Sequence, residues 1–91
     1  MIFIITSVCD SEESRQFFVE LYIRYKPIMF KIASKYIRDY DNVEDIIHEA
    51  MIKLIEKEDL LTTFDGCTLR TYVVYTIRNM SISFLRQQAR D

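Results

Sequence analysis

Asp45, His48 and Glu49 fall within about one helical turn of each other in the stretch VEDIIHEAMIKLIEK, residues 43–57. At helical spacing the three side chains share a face, and their types allow two kinds of chemistry. Two carboxylates and an imidazole are donors that a zinc site uses. His48, the lone histidine of the chain, is also suited to general-base work near neutral pH. Neither chemistry is complete, because no facing segment supplies further ligands and no nucleophile or oxyanion donor is paired with His48. Cys9 and Cys67 have neither CxxC spacing nor a second ligand pair, and read as free thiols of a reducing compartment. The residues assign no catalytic group, no metal and no cofactor.

The same face allows a third chemistry, contact. With Asp45 at zero on a helical wheel, Glu49 falls about 40° to one side and His48 about 60° to the other, while Ile52 lies about 20° from zero. The apolar stripe of the helix is centred on the opposite side. A solvated acidic face with one stray isoleucine would need no partner. An apolar anchor ringed by carboxylates is equally the anatomy of an interface that meets a basic partner.

A second unusual face lies near the C-terminus. Tyr75, Arg78, Asn79, Ile82 and Arg86 share one side of a helix, and Arg90 follows a turn after Arg86. Aromatic rings stack on bases, Arg neutralises phosphate, and an amide reads a base edge, so the stripe suits a nucleic-acid strand with splayed bases. An ordinary exposed face, with its cations near a helix C-terminus, would look similar.

Three helices must position these faces. The first begins at Asp10 or Ser11 with Glu12 and Glu13 in its opening turn, and ends near Arg38–Asp39. Its apolar positions run Phe18, Leu21, Tyr22, Tyr25, Ile28, Met29, Ile32, Ala33 and Tyr36. Pro27 interrupts them and predicts a kink in one bent helix. The second is capped by Asp41 or Asn42, with Glu44 completing a capping box, and fades near Lys57. It buries Val43, Ile46, Ile47, Ala50, Met51, Leu54 and Ile55. Residues 57–68 form a long loop with a turn at Asp65–Gly66, and Leu60, Leu61 and Phe64 are expected to tuck onto the core. The third helix runs from about Thr68 to Gln88 and buries Leu69, Tyr72, Val73, Thr76, Ile77, Met80 and Phe84. The fold class is all-α, a three-helix bundle over residues 11–91, preceded by an apolar segment over residues 1–10.

Composition agrees. The 91 residues hold one Gly and one Pro, too few breakers for a β sandwich, and 49% hydrophobic residues, enough for a single core. The opening MIFIITSVC lacks a basic start and is too short for a signal peptide or a membrane span, so no membrane insertion is expected. Net charge is −2, but residues 1–66 hold 8 Lys+Arg against 13 Asp+Glu, and residues 67–91 hold 4 Arg against 1 Asp. An acidic body with a basic last helix points to two partners of opposite sign.

Three stretches together carry a family resemblance. VEDIIHEAMIKLIEK resembles the signature "AED-hydrophobic-hydrophobic-QE-xF" of region 2 in bacterial sigma factors. IRNMSISFLRQQAR resembles the "RN-x-x-ID-x-x-RR-x-x-R" end of that region, and FFVELYIRYKPIMFKIASKYIRDYDNVED resembles its first helix and turn. The likeness spans Ser11 to Arg90 and is to the small extracytoplasmic-function type of the sigma-70 family.

The resemblance implies a cytoplasmic, non-enzymatic domain. Such a domain docks on the β′ clamp coiled coil of core RNA polymerase and captures the opened −10 promoter element as single-stranded DNA. It places polymerase binding on Asp45, His48 and Glu49, with Ile52 as the apolar centre. It places DNA binding on the loop from Leu60 to Thr68, including Phe64, and on Asn79, Arg86 and Arg90, with Tyr75 and Arg78 as neighbours. It allows for an anti-sigma factor as a further partner. His48 stands where the family has Gln, and keeps a hydrogen-bonding side chain at that position. Ser83 stands for the usual Asp and Gln87 for the second Arg, which implies weaker phosphate attraction. The family's region 4 domain, which reads the −35 element, is absent from the sequence, so the domain is expected not to direct transcription alone. A helical protein-binding adaptor without DNA-binding activity is the alternative.

Overall fold

The structure, a computed structural model, describes the backbone of residues 2–90. Met1 of the apolar segment and Asp91 of the helical domain lie outside the described residues, as do the side chains of Ile2 and Phe3. Five helices follow in chain order: α1 (Ile2–Val8), α2 (Glu12–Tyr36), α3 (Tyr40–Glu56), α4 (Glu58–Leu61) and α5 (Gly66–Arg90). The three long ones, α2, α3 and α5, pack pairwise around one core, and α1 lies against α2 and α3.

The expected stripes form that core. All seven apolar positions of α3 are buried, Val43, Ile46, Ile47, Ala50, Met51, Leu54 and Ile55. From α2, Phe18, Leu21, Tyr22, Tyr25, Met29 and Ala33 are buried, and Ile28, Ile32 and Tyr36 are half-buried. From α5, Val73 and Ile77 are fully buried while Leu69, Tyr72, Met80 and Phe84 pack at the margin. Each large side chain removed from water contributes about 1.5–3 kcal/mol, so these stripes dominate the stability of the bundle. Ser81 is buried among them and donates its hydroxyl to the Ile77 carbonyl at 2.8 Å, which satisfies it within its own helix.

Local features refine these expectations. The helix α2 runs through Pro27 as one helix, as expected. Ile23, whose carbonyl loses its helical donor to the proline, is 62% exposed, so water can replace the missing bond. The cap of α3 is Asp39, ahead of Asp41 and Asn42, because its side chain accepts the Asp41 N–H at 2.9 Å. The apolar N-terminal segment is helical and places Ile5 and Cys9 in the core.

The connection after α3 contains the helical turn α4. Leu61 is fully buried, but Leu60 is 45% exposed and does not tuck inward. The buried Ser14 hydroxyl donates to Glu58 Oε1 at 2.7 Å and ties α4 to the start of α2. Gly66 does not form a turn but opens α5. Asp65 precedes it as the cap, its side chain accepting from Thr68 N–H at 2.7 Å and its carbonyl from Leu69 N–H at 2.9 Å.

Candidate functional site

The face of α3 opposite its core stripe carries the four residues expected to bind a partner. Asp45 and Glu49 are exposed, His48 is half-buried, and Ile52 is 37% exposed. The structure divides the four. Asp45 and Glu49 line a groove of about 470 Å³ between α3 and α5, together with Lys53, Met80 and Phe84. His48 and Ile52 are not among its lining residues. Ser83 and Gln87, the two departures from the family pattern, line this same groove. Two neutral polar groups therefore face Asp45 and Glu49 across the cleft, and the acids keep their charge uncompensated from the α5 side.

Among the described residues, no group of three His, Cys, Asp or Glu side chains is placed to hold a metal ion. The thiols of Cys9 and Cys67 are free, the first buried and the second exposed.

A second cleft, of about 290 Å³, also lies between α3 and α5 and shares Lys53 and Met80 with the first. Asn79, Thr76, Tyr72 and Met80 line it from α5, and Lys53 and Glu56 from α3, with Lys57 at its edge. Thr76 is anchored by its hydroxyl donating to the Tyr72 carbonyl at 2.9 Å. Phe64 is half-buried, with its ring centroid 5.7 Å from that of Tyr72. Phe64 thus supports the ring that walls the Asn79 cleft. The cleft offers an amide, a hydroxyl, an aromatic wall, two ammonium groups and the Glu56 carboxylate.

Arg78 does not face this cleft. It lines a groove on the other side of α5, against α2. Tyr75 is 57% exposed, and Arg86 and Arg90 are exposed on the last turns of α5. The single stripe expected from the sequence is therefore divided: Asn79 on the α3 side and Arg78 on the α2 side.

Sequence reasoning missed Lys53, Lys57, Thr76 and Tyr72 at the Asn79 cleft. The apolar stripe of α5 places Thr76 and Tyr72 wholly in the core, although each is only half-buried. Their neighbourhood to Asn79 on the helical wheel is the available signal. Lys53 sits 80° from Asp45 at helical spacing, at the boundary between the apolar and acidic sides.

A family model described as Sigma-70 region 2 matches residues 21–91. No curated protein and no solved structure matches the chain. The match covers α3, α4 and α5 and most of α2, and so takes in every residue of the acidic face and both clefts along α5. The chain belongs to the Sigma-70 region 2 family of sigma factors, whose region 2 is a non-enzymatic domain of transcription initiation.

Proposed function

We propose that this domain is region 2 of an extracytoplasmic-function-type sigma factor working in the cytoplasm. In this reading Asp45, Glu49, His48 and Ile52 dock on the β′ clamp coiled coil of core RNA polymerase. The Asn79 cleft takes one extruded base of the single-stranded −10 element, and Tyr75, Arg78, Arg86 and Arg90 hold the strand. The domain performs no catalysis; bond formation belongs to the polymerase. An anti-sigma factor is a further candidate partner for the acidic face.

The observation that carries this reading is the cleft at Asn79 within a chain of this family. Its volume of about 290 Å³ is close to the lower end, roughly 300 Å³, of pockets that enclose small ligands. Extruding a base from a duplex costs a few kcal/mol, which hydrogen bonds and stacking in such a pocket offset. Asn79 and Thr76 supply the hydrogen-bonding groups, and Tyr72 supplies the aromatic face.

The test is a titration of the domain against an isolated β′ clamp coiled coil, with selection of tight-binding single strands from a random pool alongside. Saturable binding to the coiled coil and enrichment of one short sequence are the expected results. A folded domain that binds the coiled coil but enriches no strand would favour the adaptor reading.

A further inference from the structure

The groove between α2 and α5 is a basic concavity. Lys31 and Lys35 project into it from α2, and Arg70 and Arg78 from α5, above an apolar floor that includes Ile32 and Val74. Its volume is about 340 Å³, and no carboxylate is among its lining residues. All four cations are exposed, and among the described residues none is in an ion pair. Lys31 and Lys35 are also four residues apart on one helix, a like-charge spacing that disfavours the helix on its own. A chain of net charge −2 thus gathers four of its 12 Lys and Arg side chains around one cleft without an internal counter-charge. Such an arrangement is relieved by a polyanion.

The position of the groove indicates which polyanion. Arg78 and Asn79 are consecutive, yet Arg78 lines this groove and Asn79 the cleft on the opposite flank of α5. Tyr75 stands between the two flanks on the exposed crest of the helix. A strand crossing α5 with one base at Asn79 can pass its backbone over Tyr75 and present its phosphates to the four cations. Two ammonium groups and two guanidinium groups suit successive phosphodiesters, with each Arg able to bind phosphate oxygens bidentately.

We propose that Lys31, Lys35, Arg70 and Arg78 form a backbone track for the phosphates of the opened DNA strand. This rests on the strand-binding reading above, and extends it to α2, which carries none of the residues that reading uses. The track supplies affinity without sequence preference, and the Asn79 cleft supplies preference.

The test uses the full chain and two labelled single strands, one selected from a random pool and one of oligo-dT, titrated across a series of salt concentrations. Lys31→Ala/Lys35→Ala removes two charges from exposed helical positions where alanine favours the helix. Arg24→Ala/Arg38→Ala removes two charges from exposed positions outside the groove. The lysine pair is expected to reduce the slope of log K against log salt by about 1.4, from about 0.7 per phosphate contact on single strands. It should leave the affinity ratio of selected strand over oligo-dT unchanged, and the arginine pair should leave the slope unchanged.

An unchanged slope in the lysine variant overturns the track, as does an equal drop in both variants, which would report net charge alone. If selection enriches no sequence while the lysine variant still loses slope, the base-reading function fails and the track stands. No binding of any strand by the folded wild type overturns both.

Discussion

Arg78 and Asn79 are adjacent in sequence but serve different grooves, Arg78 facing α2 and Asn79 facing α3. A helix turns about 100° per residue, so consecutive side chains on an exposed face are sent to opposite flanks. This separates a charge from an amide at one level of the bundle.

The two substitutions are therefore expected to differ in kind. Asn79→Ala should weaken binding to the selected strand and flatten its preference over other strands, with a loss of about 1–3 kcal/mol at the position read. Arg78→Ala, and likewise Arg86→Ala, should weaken all strands about equally and lower the salt slope. Competition titrations of each variant against both strands measure this. Uniform loss in Asn79→Ala would remove it as a base reader.

Asp45→Lys combined with Glu49→Lys should abolish docking on the clamp coiled coil while the fold is retained. Both side chains are exposed and make no hydrogen bond or ion pair among the described residues. Like charges set against each other at an interface cost several kcal/mol, so affinity should fall at least about 100-fold. Calorimetric titration reads the affinity and circular dichroism reads the fold; unchanged affinity would move docking to another face.

The long helices and their buried faces were legible because each stripe repeats over several turns. In α3 the periodicity identified every buried position, from Val43 to Ile55. The exposure of Ile52 was legible for the same reason, as a single apolar residue out of phase. What escaped was set by contacts between elements. Periodicity places Thr76 and Tyr72 on the inner side of α5, but their half-burial depends on how far α3 stands away. Lys31 and Lys35 read as ordinary exposed lysines until α5 brings Arg70 and Arg78 beside them. The short helices α1 and α4 have too few turns for a periodic signal, and the burial of Ile5 and Leu61 comes from packing on the long helices.

Gly66→Ala should stabilise the domain. Gly66 begins α5 without a positive φ, and a Cβ built on it meets nothing within 4 Å. The native backbone therefore accepts alanine, while the unfolded chain loses freedom. The expected gain is about 0.4–1 kcal/mol, read as a rise in thermal midpoint. A loss of stability would indicate that the entry to α5 needs glycine for a reason other than space.

Ile5→Ala should be costly even though α1 is only two turns long. Ile5 is 0% exposed and α1 packs on both α2 and α3. Truncating a buried isoleucine costs about 2–5 kcal/mol, depending on how far the site collapses. Chemical denaturation measures the difference. A cost near zero would show that α1 contributes nothing to the stability of the bundle.

The acid sensitivity of α5 should depend on Asp65. The Thr68 backbone N–H, first among its causes, holds the Asp65 carboxyl below its ordinary value of 3.8, with smaller help from the Thr68 side chain and Cys67 N–H. A carboxylate whose folded pKa is depressed contributes its stabilisation above the unfolded value and loses it as pH falls through the folded one. The relevant window thus lies below that ordinary value of 3.8. Asp65→Asn preserves an amide oxygen that can accept the same N–H but has no charge to lose. Wild type should therefore be the more stable protein near neutral pH, and its lead over Asp65→Asn should shrink as pH falls through that window. Asp65→Ala should be less stable than both at neutral pH, because the start of α5 loses its acceptor. Thermal melts of the three proteins across the acid range read the effect. A wild-type lead that is constant with pH would show that the charge on Asp65 makes no difference and that the hydrogen bond alone caps the helix.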